Sequence, residues 1–282
     1  MLPFSVDLSG QTAIVTGGSG VLGQAFCQAL AECGASVAVI GRNREKLDQV
    51  VQSIKELGGT AMGVAANVLK PEELRAARDT IEREWGPCRI LINGAGGNRP
   101  NATTTLEFHH PGEAEVRELV TFFNLDPESV ASVFNLNFLG TLLPTQIFGE
   151  SMVRKGQGVI INISSMNAYT PLTKIPAYSG AKAAVSNFTQ WLAVHFSRSG
   201  IRVNAIAPGF FLTEQNRPLL LRDDGTYNER ANKILGQTPM NRFGRPDELI
   251  GTLLWLVDEK ASGFVTGIVV PVDGGFSAYS GV

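Results

Sequence analysis

The sequence is short of charge and of cysteine. Charged residues make up 18% of the 282 residues, and the formal net charge is −2. It contains no basic run that would indicate a nucleic-acid partner. The three cysteines, Cys27, Cys33 and Cys88, match neither a disulfide framework nor the spacing of a metal site. We therefore expect reduced thiols in a cytoplasmic protein.

A long apolar run and a secretory leader are also missing. One uncharged window, residues 130–149, includes Asn135, Asn137 and Pro144, which fits a buried helix better than a membrane span. The first ten residues, MLPFSVDLSG, carry no basic group and no long apolar stretch, so they do not predict a signal peptide. No membrane partner is expected.

Short apolar runs alternate with amphipathic segments along the chain. Because the runs are continuously apolar, both faces of the sheet that they form are expected to be buried under helices. We predict an α/β fold: a single-domain Rossmann fold over residues 1–282, with a doubly wound parallel sheet of about seven strands. The predicted strands are 12–18, 35–41, 60–66, 89–96, 158–165, 201–208 and 267–275, and the predicted helices are 21–33, 44–57, 71–85, 127–154, 176–199 and 246–257.

Two segments interrupt the alternation. Residues 98–124 are called the insert below, and residues 210–244 are called the second loop. Irregular segments of this length in a compact domain usually bind ligands, so we predict that both contact substrate. Plain surface decoration is the alternative.

A glycine-rich turn, TGGSGVLG, occupies residues 16–23 between the first strand and the first helix. Glycines let the backbone approach a pyrophosphate, and the helix N-terminus supplies N–H donors. The turn therefore predicts dinucleotide binding, with a simple tight turn as the alternative.

The second strand ends in VIGRNR, where an acid would bind the adenosine ribose. Gly41 and Arg42 stand there instead, and an arginine can pair with a 2′-phosphate. This favours NADP(H), while NAD(H) stays possible and Arg42 could simply be solvated.

Residues 176–182 read PAYSGAK. Tyr178 and Lys182 are four residues apart, so on a helix they share one face. An ammonium beside a phenol favours the phenolate, which predicts a lowered pKa for Tyr178 and a proton-transfer role. The pair alone would also fit an ordinary amphipathic helix.

Further motifs occur in a fixed order. They are INGAG at residues 92–96, Asn137 in NLNFLG, Ser165 in NISS thirteen residues before Tyr178, APGFFLT and VDGG. With the glycine turn and the Tyr-x-x-x-Lys pair, they resemble the short-chain dehydrogenase/reductase family over essentially the whole chain.

The resemblance implies a catalytic set of four residues. Tyr178 would exchange a proton with the substrate, Ser165 would hydrogen-bond the substrate oxygen, Lys182 would hold the nicotinamide ribose, and Asn137 would fix a water in a proton relay. The same resemblance implies these cofactor-binding residues: Gly17, Ser19, Gly20, Val21, Leu22, Gly23, Arg42, Asn67, Val68, Asn93, Gly94, Ala95, Gly96, Tyr178, Lys182, Pro208, Gly209, Phe211 and Thr213.

Three features depart from the family pattern. The glycines follow the Gly-x-x-Gly-x-x-Gly spacing of the extended members, although the chain length and VDGG favour the short type. Gly94 replaces the second asparagine of the Asn-Asn-Ala-Gly turn. Asn67 replaces an aspartate beside the adenine.

Polar and charged groups in the two long segments indicate the substrate. Glu214, Gln215 and Asn216 suit a polyhydroxylated molecule, and an arginine suits a carboxylate. The glycine turn, the insert and GFFLTEQNR together resemble the sugar-acid branch of the family, of the D-mannonate oxidoreductase (fructuronate reductase) type. Enzymes of that type are generally NAD-linked, which conflicts with the NADP(H) preference predicted from Arg42. The implied substrate residues are Arg99, Asn167 and Arg217.

Two alternatives stay open, a general carbonyl or 3-oxoacyl reductase and a non-catalytic dinucleotide-binding regulator. The regulator would be expected to lack Tyr178, Lys182 or Ser165. The adjacent histidines of the insert, His109 and His110, have no evident third ligand, so no metal is predicted. The resemblance also implies a homotetramer built through the Tyr/Lys helix and the last strand, with Phe188, Trp191 and Trp255 in core or interface.

Overall fold

A single seven-stranded parallel sheet organises the chain, in a computed structural model that describes residues 6–213 and 217–281. The strand order is β3-β2-β1-β4-β5-β6-β7, as a doubly wound sheet requires. Residues 1–5, predicted not to be a signal peptide, and Glu214, Gln215 and Asn216 lie outside the described residues. The strands are β1 Thr12–Thr16, β2 Ser36–Gly41, β3 Thr60–Ala65, β4 Cys88–Asn93, β5 Gly158–Ile163, β6 Ile201–Pro208 and β7 Val269–Val272.

Helices cover both faces of this sheet. Alternate residues of β1 point to opposite faces. Val15 packs in a core cluster with the first, second and ninth helices of the chain, whereas Ile14 packs in a second cluster with the third, fifth and sixth. Both β1 residues are fully buried, which explains the uninterrupted apolar runs. The helices are α1 Val21–Glu32, α2 Arg44–Glu56, α3 Pro71–Trp85, α4 Pro127–Phe134, α5 Gly140–Lys155, α6 Pro176–His195, α7 Arg217–Leu220, α8 Glu229–Gly236, α9 Ile250–Val257 and α10 Glu259–Ser262.

Most element boundaries differ from the predicted ones at the carboxyl ends. The predicted strands at 12–18, 89–96 and 267–275 are too long, because their glycine-containing ends leave the sheet as turns. The predicted helix 127–154 is in fact two helices, α4 and α5, joined by a π-helical turn over Asn135–Leu139. The predicted helix 176–199 ends at His195.

The two irregular segments differ in construction. The insert contains three 3₁₀ turns, Pro100–Ala102, Glu113–Glu115 and Phe122–Asn124. The second loop carries α7 and α8 around a small apolar cluster of its own, made by Leu220, Ala231, Leu235 and Phe243.

The uncharged window, residues 130–149, is helical as predicted: it covers the end of α4, the π-helical turn and the first part of α5. None of the helices built from the described residues has both the length and the apolarity needed to cross a membrane. The three cysteines are free thiols, and Cys27 and Cys88 are buried.

Candidate active site

The glycine turn after β1 is packed so tightly that side chains are excluded. A Cβ on Gly17, whose φ is +67°, would lie 2.8 Å from the carbonyl oxygen of Gly94 in the turn after β4. A Cβ on Gly23 would lie 2.3 Å from the carbonyl oxygen of Gly17. The unusual glycine spacing therefore still brings the turn, the start of α1 and the turn after β4 together.

The N-terminus of α1 fits the phosphates of a dinucleotide. Gly20 is the N-cap and no side chain caps the helix, so the first-turn N–H groups, including those of Val21 and Leu22, are left to a phosphate. Ser19 lies beside the end of β2, since a Cβ on Gly41 would be 2.8 Å from its Oγ. The predicted residues of the turn and of the strand end thus share one edge of the sheet.

Thr16, which the sequence interpretation missed, ties β1 to the turn after β4. Its Oγ accepts hydrogen bonds from the backbone N–H groups of Gly94 and Ala95, at 3.2 and 3.4 Å. The backbone N–H of Gly94 also donates to the carbonyl oxygen of Thr16 at 3.1 Å. The glycine that replaces the family asparagine therefore sits in a turn held by its neighbour strand, and a Cβ there would be 2.8 Å from Thr16 oxygen.

Asn137 lies in the π-helical turn and is fully buried. Its Nδ2 donates to the carbonyl oxygens of Gly97 and Val133, at 2.7 and 2.8 Å, and its Oδ1 accepts from the N–H of Gly97 at 3.2 Å. The amide therefore holds the first residues of the insert from both sides. Its predicted role in holding a water stays a prediction.

Tyr178 and Lys182 share one face of α6, as predicted. The Lys182 Nζ lies 5.7 Å from the centre of the Tyr178 ring and donates to the carbonyl oxygen of Ile163, at the end of β5, at 2.7 Å. A Cβ on Gly96 would be 3.2 Å from this Nζ and 2.7 Å from Asn137 Oδ1. Lysine, asparagine and the turn after β4 therefore meet.

In the protein without cofactor the pKa of Tyr178 is raised, whereas the sequence predicted a lowered one. Burial raises the pKa of its phenol, and a hydrogen bond with the Ser165 side chain opposes that rise. Burial also lowers the pKa of Lys182 to about 8. The expected stabilisation of the phenolate by a fully charged ammonium is therefore weakened, because the same desolvation acts on both groups.

Ser165 follows β5 and faces Tyr178 through that hydrogen bond. Its Oγ also accepts from the backbone N–H of Asn167 at 3.3 Å. The Asn167 side chain is 4% exposed, and its Oδ1 has no hydrogen-bond partner among the described residues. Asn167 is thus the one predicted substrate residue that the fold buries next to a predicted catalytic group.

The other predicted cofactor and substrate residues make fewer contacts with the groups described above. The Oδ1 of Asn67 accepts from the N–H of Leu69 in its own turn, at 3.0 Å, while Val68 packs under Gly140. Arg42 is exposed after β2, and Arg99 and Arg217 are exposed on the insert and on α7. Buried Pro208 is the last residue of β6, and partly buried Gly209, buried Phe211 and partly buried Thr213 follow it.

Asn93, which the resemblance assigned to the cofactor, is buried and belongs to a polar chain under the site, and the other members of that chain were missed. Asn93 at the end of β4 donates to Thr145 of α5 and to Asn162 of β5, and Asn162 donates to Thr189 of α6, each at 2.9 Å. This chain fixes both helices to the sheet. An asparagine inside the apolar run GVIINI was the available sequence signal.

The histidines of the insert form no metal centre within the described part of the chain. His109 Nδ1 bonds the buried carboxylate of Glu113 at 2.8 Å, and the backbone N–H of His110 donates to the same side chain at 3.0 Å. Among residues 6–213 and 217–281, no three potential ligands come together.

Comparisons with known proteins agree with this geometry. The family model of short chain dehydrogenases matches residues 11–223. An uncharacterized oxidoreductase, UxuB, of Bacillus subtilis is 52% identical over the full length of both chains. A solved structure from Haemophilus influenzae, provisionally named a D-mannonate oxidoreductase and holding NAD, is 55% identical, covers 98% of both chains and has a TM-score of 0.93. A gluconate 5-dehydrogenase from Burkholderia cenocepacia, in complex with NADP and tartrate, is 29% identical, covers 98% and 99%, and has a TM-score of 0.82.

Proposed function

The chain belongs to the short-chain dehydrogenase/reductase family and is an NAD(P)-dependent oxidoreductase that acts on CH–OH groups, and we propose that its substrate is a sugar acid. In the proposed reaction a hydride moves between nicotinamide and the hydroxyl or ketone carbon of a D-mannonate/D-fructuronate type molecule. The observation that carries this proposal is the 55% identity, over 98% of both chains, to the provisional D-mannonate oxidoreductase. We further propose that residues 1–282 act as one dinucleotide-binding and catalytic domain.

The proposed chemistry divides between cofactor and protein. The nicotinamide supplies the hydride acceptor or donor when bound. Tyr178 takes the hydroxyl proton of the substrate during oxidation when its own oxygen is deprotonated, and as the phenol it returns that proton during reduction. The Ser165 hydroxyl, already hydrogen-bonded to Tyr178, holds the substrate oxygen in place for that transfer.

Lys182 and Asn137 support the proton transfer from beneath. Lys182 is anchored to β5 through Ile163, so its ammonium stays close to the tyrosine ring without blocking the space above it. A pKa of about 8 allows the amine to pass a proton near neutral pH, because both of its protonation states are populated there. Asn137 fixes the turn and the insert around this group.

The substrate proposal draws on the polarity of the surrounding residues. The unpartnered Asn167 amide oxygen beside Ser165 suits a substrate that carries hydroxyl groups next to the reacting carbon, since a buried acceptor without a donor costs roughly 1–3 kcal/mol. Arg99 and Arg217 remain the proposed carboxylate-binding residues.

The test is an assay of nicotinamide absorbance with purified protein and a panel of aldonates, polyols and simple alcohols. We expect turnover of an aldonate, and we expect Tyr178→Phe to lower kcat by about 10²–10⁴-fold while cofactor binding persists. Arg99→Ala and Arg217→Ala should raise KM for the acid but not for an uncharged polyol. Turnover of uncharged alcohols alone would favour the general carbonyl reductase, and cofactor binding without turnover would favour the regulator.

We propose that NADP(H) is the preferred cofactor, with NAD(H) also accepted. Arg42 follows Gly41, where no carboxylate repels a 2′-phosphate, and Arg42 has no ion-pair partner among the described residues, whereas the nearby Arg44 is paired with Asp48 at 3.2 Å. The relative with bound NAD argues for dual use.

This preference is tested by titrating both cofactors into Arg42→Ala and Arg44→Ala. Loss of the guanidinium–phosphate pair should weaken NADP+ binding about tenfold in Arg42→Ala and leave NAD+ unchanged. The matched Arg44→Ala variant should change neither. Equal loss of both cofactors in Arg42→Ala would contradict the assignment.

We also propose that the chain forms a homotetramer, partly through α5 and α6. An apolar groove of about 680 Å³ runs between these helices and is lined by Phe188 and Trp191 among others. Trp191 is 56% exposed, while Phe188 and Trp255 pack against the cores. A second copy would cover the groove in continuity with the helix that carries Tyr178.

A further inference from the structure

Glu107 of the insert lies where three separate segments of the chain meet. Its carboxylate pairs with the ammonium of Lys233 on α8, although the two residues are 126 positions apart in the sequence. Lys174, in the turn that leads into α6, also acts on it: the Lys233 hydrogen bond and the charges of both lysines lower the pKa of Glu107. The ion pair thereby joins the insert to the second loop at this side chain, and the charge of Lys174 acts on the same carboxylate.

Lys174 is held in an unusual backbone conformation at this junction. Its φ is +72°, a left-handed value that residues other than glycine seldom adopt. Its carbonyl oxygen accepts a hydrogen bond from the backbone N–H of Thr104, in the insert, at 2.9 Å. A conformation that costs about 1–3 kcal/mol persists only where neighbouring structure holds it, and such residues concentrate at functional sites.

The junction is connected to Tyr178 through packed residues of the insert, α4 and α6. Ala102 of the insert is fully buried and packs with Val133 of α4 and Ala177 of α6, and Tyr178 packs against this cluster. Glu107 is five positions after Ala102, and Tyr178 is four positions after Lys174. Two short stretches of chain therefore link Glu107 and Lys174 to the packing around Tyr178.

We infer that Glu107 is a positioning residue, which joins the insert, α8 and the turn before α6 into one rim and so sets the affinity for substrate. It touches neither the reacting atoms nor the cofactor residues, so its effect is on KM rather than on kcat. This inference rests on the proposed function for its kinetic consequence, but the joining of the three segments does not depend on which substrate is used.

The size of the effect is bounded by the exposure of the pair. The side chains are 63% exposed in Lys233 and 29% exposed in Glu107, and ion pairs of this kind contribute little in water. We therefore expect a two- to fivefold change, on the order of what one such pair supplies.

The kinetic experiment uses two single variants that change the charge of the rim in opposite directions. Glu107→Gln removes a negative charge, and Lys233→Gln removes a positive one. If the ion pair positions the rim, both variants raise KM about two- to fivefold with kcat and cofactor affinity unchanged, and the double variant Glu107→Gln with Lys233→Gln raises KM no further than either single variant. If only long-range attraction of an anionic substrate matters, the two variants move KM in opposite directions, and the inference is overturned.

Hydrogen exchange supplies a readout that needs no substrate. In the wild type and in Glu107→Gln we would compare amide exchange in residues 98–124 and in α8. We expect both segments to exchange faster together in the variant, and neither to change in Glu115→Gln, an equal charge change on an exposed residue of the same insert. Faster exchange in the insert alone, or in neither segment, would refute the joining. If the wild type oxidises no sugar acid, the proposed function fails, while exchange still decides the joining of the segments.

Discussion

Lys182 places a charged amine where the surroundings disfavour charge. The residue is 4% exposed, and burial lowers its pKa from 10.5 to about 8. One hydrogen bond, to the carbonyl oxygen of Ile163, fixes its position. Below about pH 8 the folded protein therefore carries a buried ammonium, which opposes folding, so the group serves the site at the expense of stability.

We predict that Lys182→Met removes activity and stabilises the fold at neutral pH. The lowered pKa corresponds to roughly 1–3 kcal/mol of unfolding free energy. The penalty is complete below pH 8, where lysine is charged in both states, and it disappears as pH rises towards 10.5, where the unfolded state also loses its proton. Denaturant unfolding of both proteins at pH 7 and pH 10 should show a gain that shrinks with pH. An equal or lower stability of the variant at pH 7 would contradict the cost of burial.

At the residue scale, the sequence predicts which residues form the site better than it predicts their pKa values and burial. Tyr178 and Lys182 come together because they are one helical turn apart on α6. Ser165 follows the end of β5, and Asn137 is held near Lys182 by its hydrogen bonds to Gly97. The predicted lowering of the Tyr178 pKa was wrong for the protein without cofactor, where burial raises that pKa. Desolvation depends on tertiary packing, which no short segment of sequence contains. The same holds for Asn167, whose burial only the fold reveals.

The junction of β1 and α1 shows how an element end becomes a binding surface. The turn must let three backbones pass within van der Waals contact, and only glycine permits this at Gly17 and Gly23. With no side chain at the N-cap, the helix start offers its N–H groups outward. Close packing here and phosphate binding are thus two consequences of one sequence pattern.

We predict that Gly23→Ala weakens cofactor binding about tenfold or more and lowers stability by roughly 1–3 kcal/mol. The new Cβ would stand 2.3 Å from backbone oxygen and 2.8 Å from backbone carbon, neither of which can rotate away. Gly251→Ala is the matched control, because nothing lies within 4 Å of its Cβ in helix α9, and alanine there should stabilise by about 0.5–1 kcal/mol. Calorimetric titration of NAD+ and thermal unfolding measure both effects, and unchanged affinity in Gly23→Ala would refute the prediction.

At the element scale, regular structure was predictable and its interruptions were not. Seven strands and the major helices follow from local apolar patterns and from glycine or proline at their ends. The π-helical turn at Asn135–Leu139 does not, because its side-chain bonds from Asn137 to Gly97 join segments forty residues apart. The helices of the second loop depend on their own small core, which composition alone does not indicate.

On the scale of the whole molecule, the surface is unevenly apolar. The α5 and α6 face carries a stack of rings, in which Trp191 and His195 lie 4.6 Å apart and nearly parallel. Val194 on the same helix is 77% exposed. Rigid apolar side chains gathered on one helical face are typical of surfaces between subunits.

We predict that Trp191→Glu reduces the size of the assembly in solution. A carboxylate in the centre of the proposed interface would have to be desolvated without a partner, which opposes association. Sedimentation velocity should show a smaller species than the wild type. Leu57→Glu, at an equally exposed apolar residue after α2 (65% exposed), should leave the size unchanged. Wild-type protein that sediments as a monomer would remove the premise.

Phe211 and Gly244, at the two ends of the second loop, form an isolated β-bridge, and this bridge bears on how new substrate specificities could arise. The chain leaves and re-enters the body at neighbouring points, with hydrogen bonds from Leu212 to Gly244 and from Gly244 to Phe210 at 3.0 and 2.9 Å. The segment between those points can change in length or composition without moving the sheet, provided that its two ends and the pairing of α8 with the insert still fit. Related enzymes could therefore diverge in substrate specificity while keeping the same chemistry. The segment of one enzyme could also be grafted onto another to transfer its specificity.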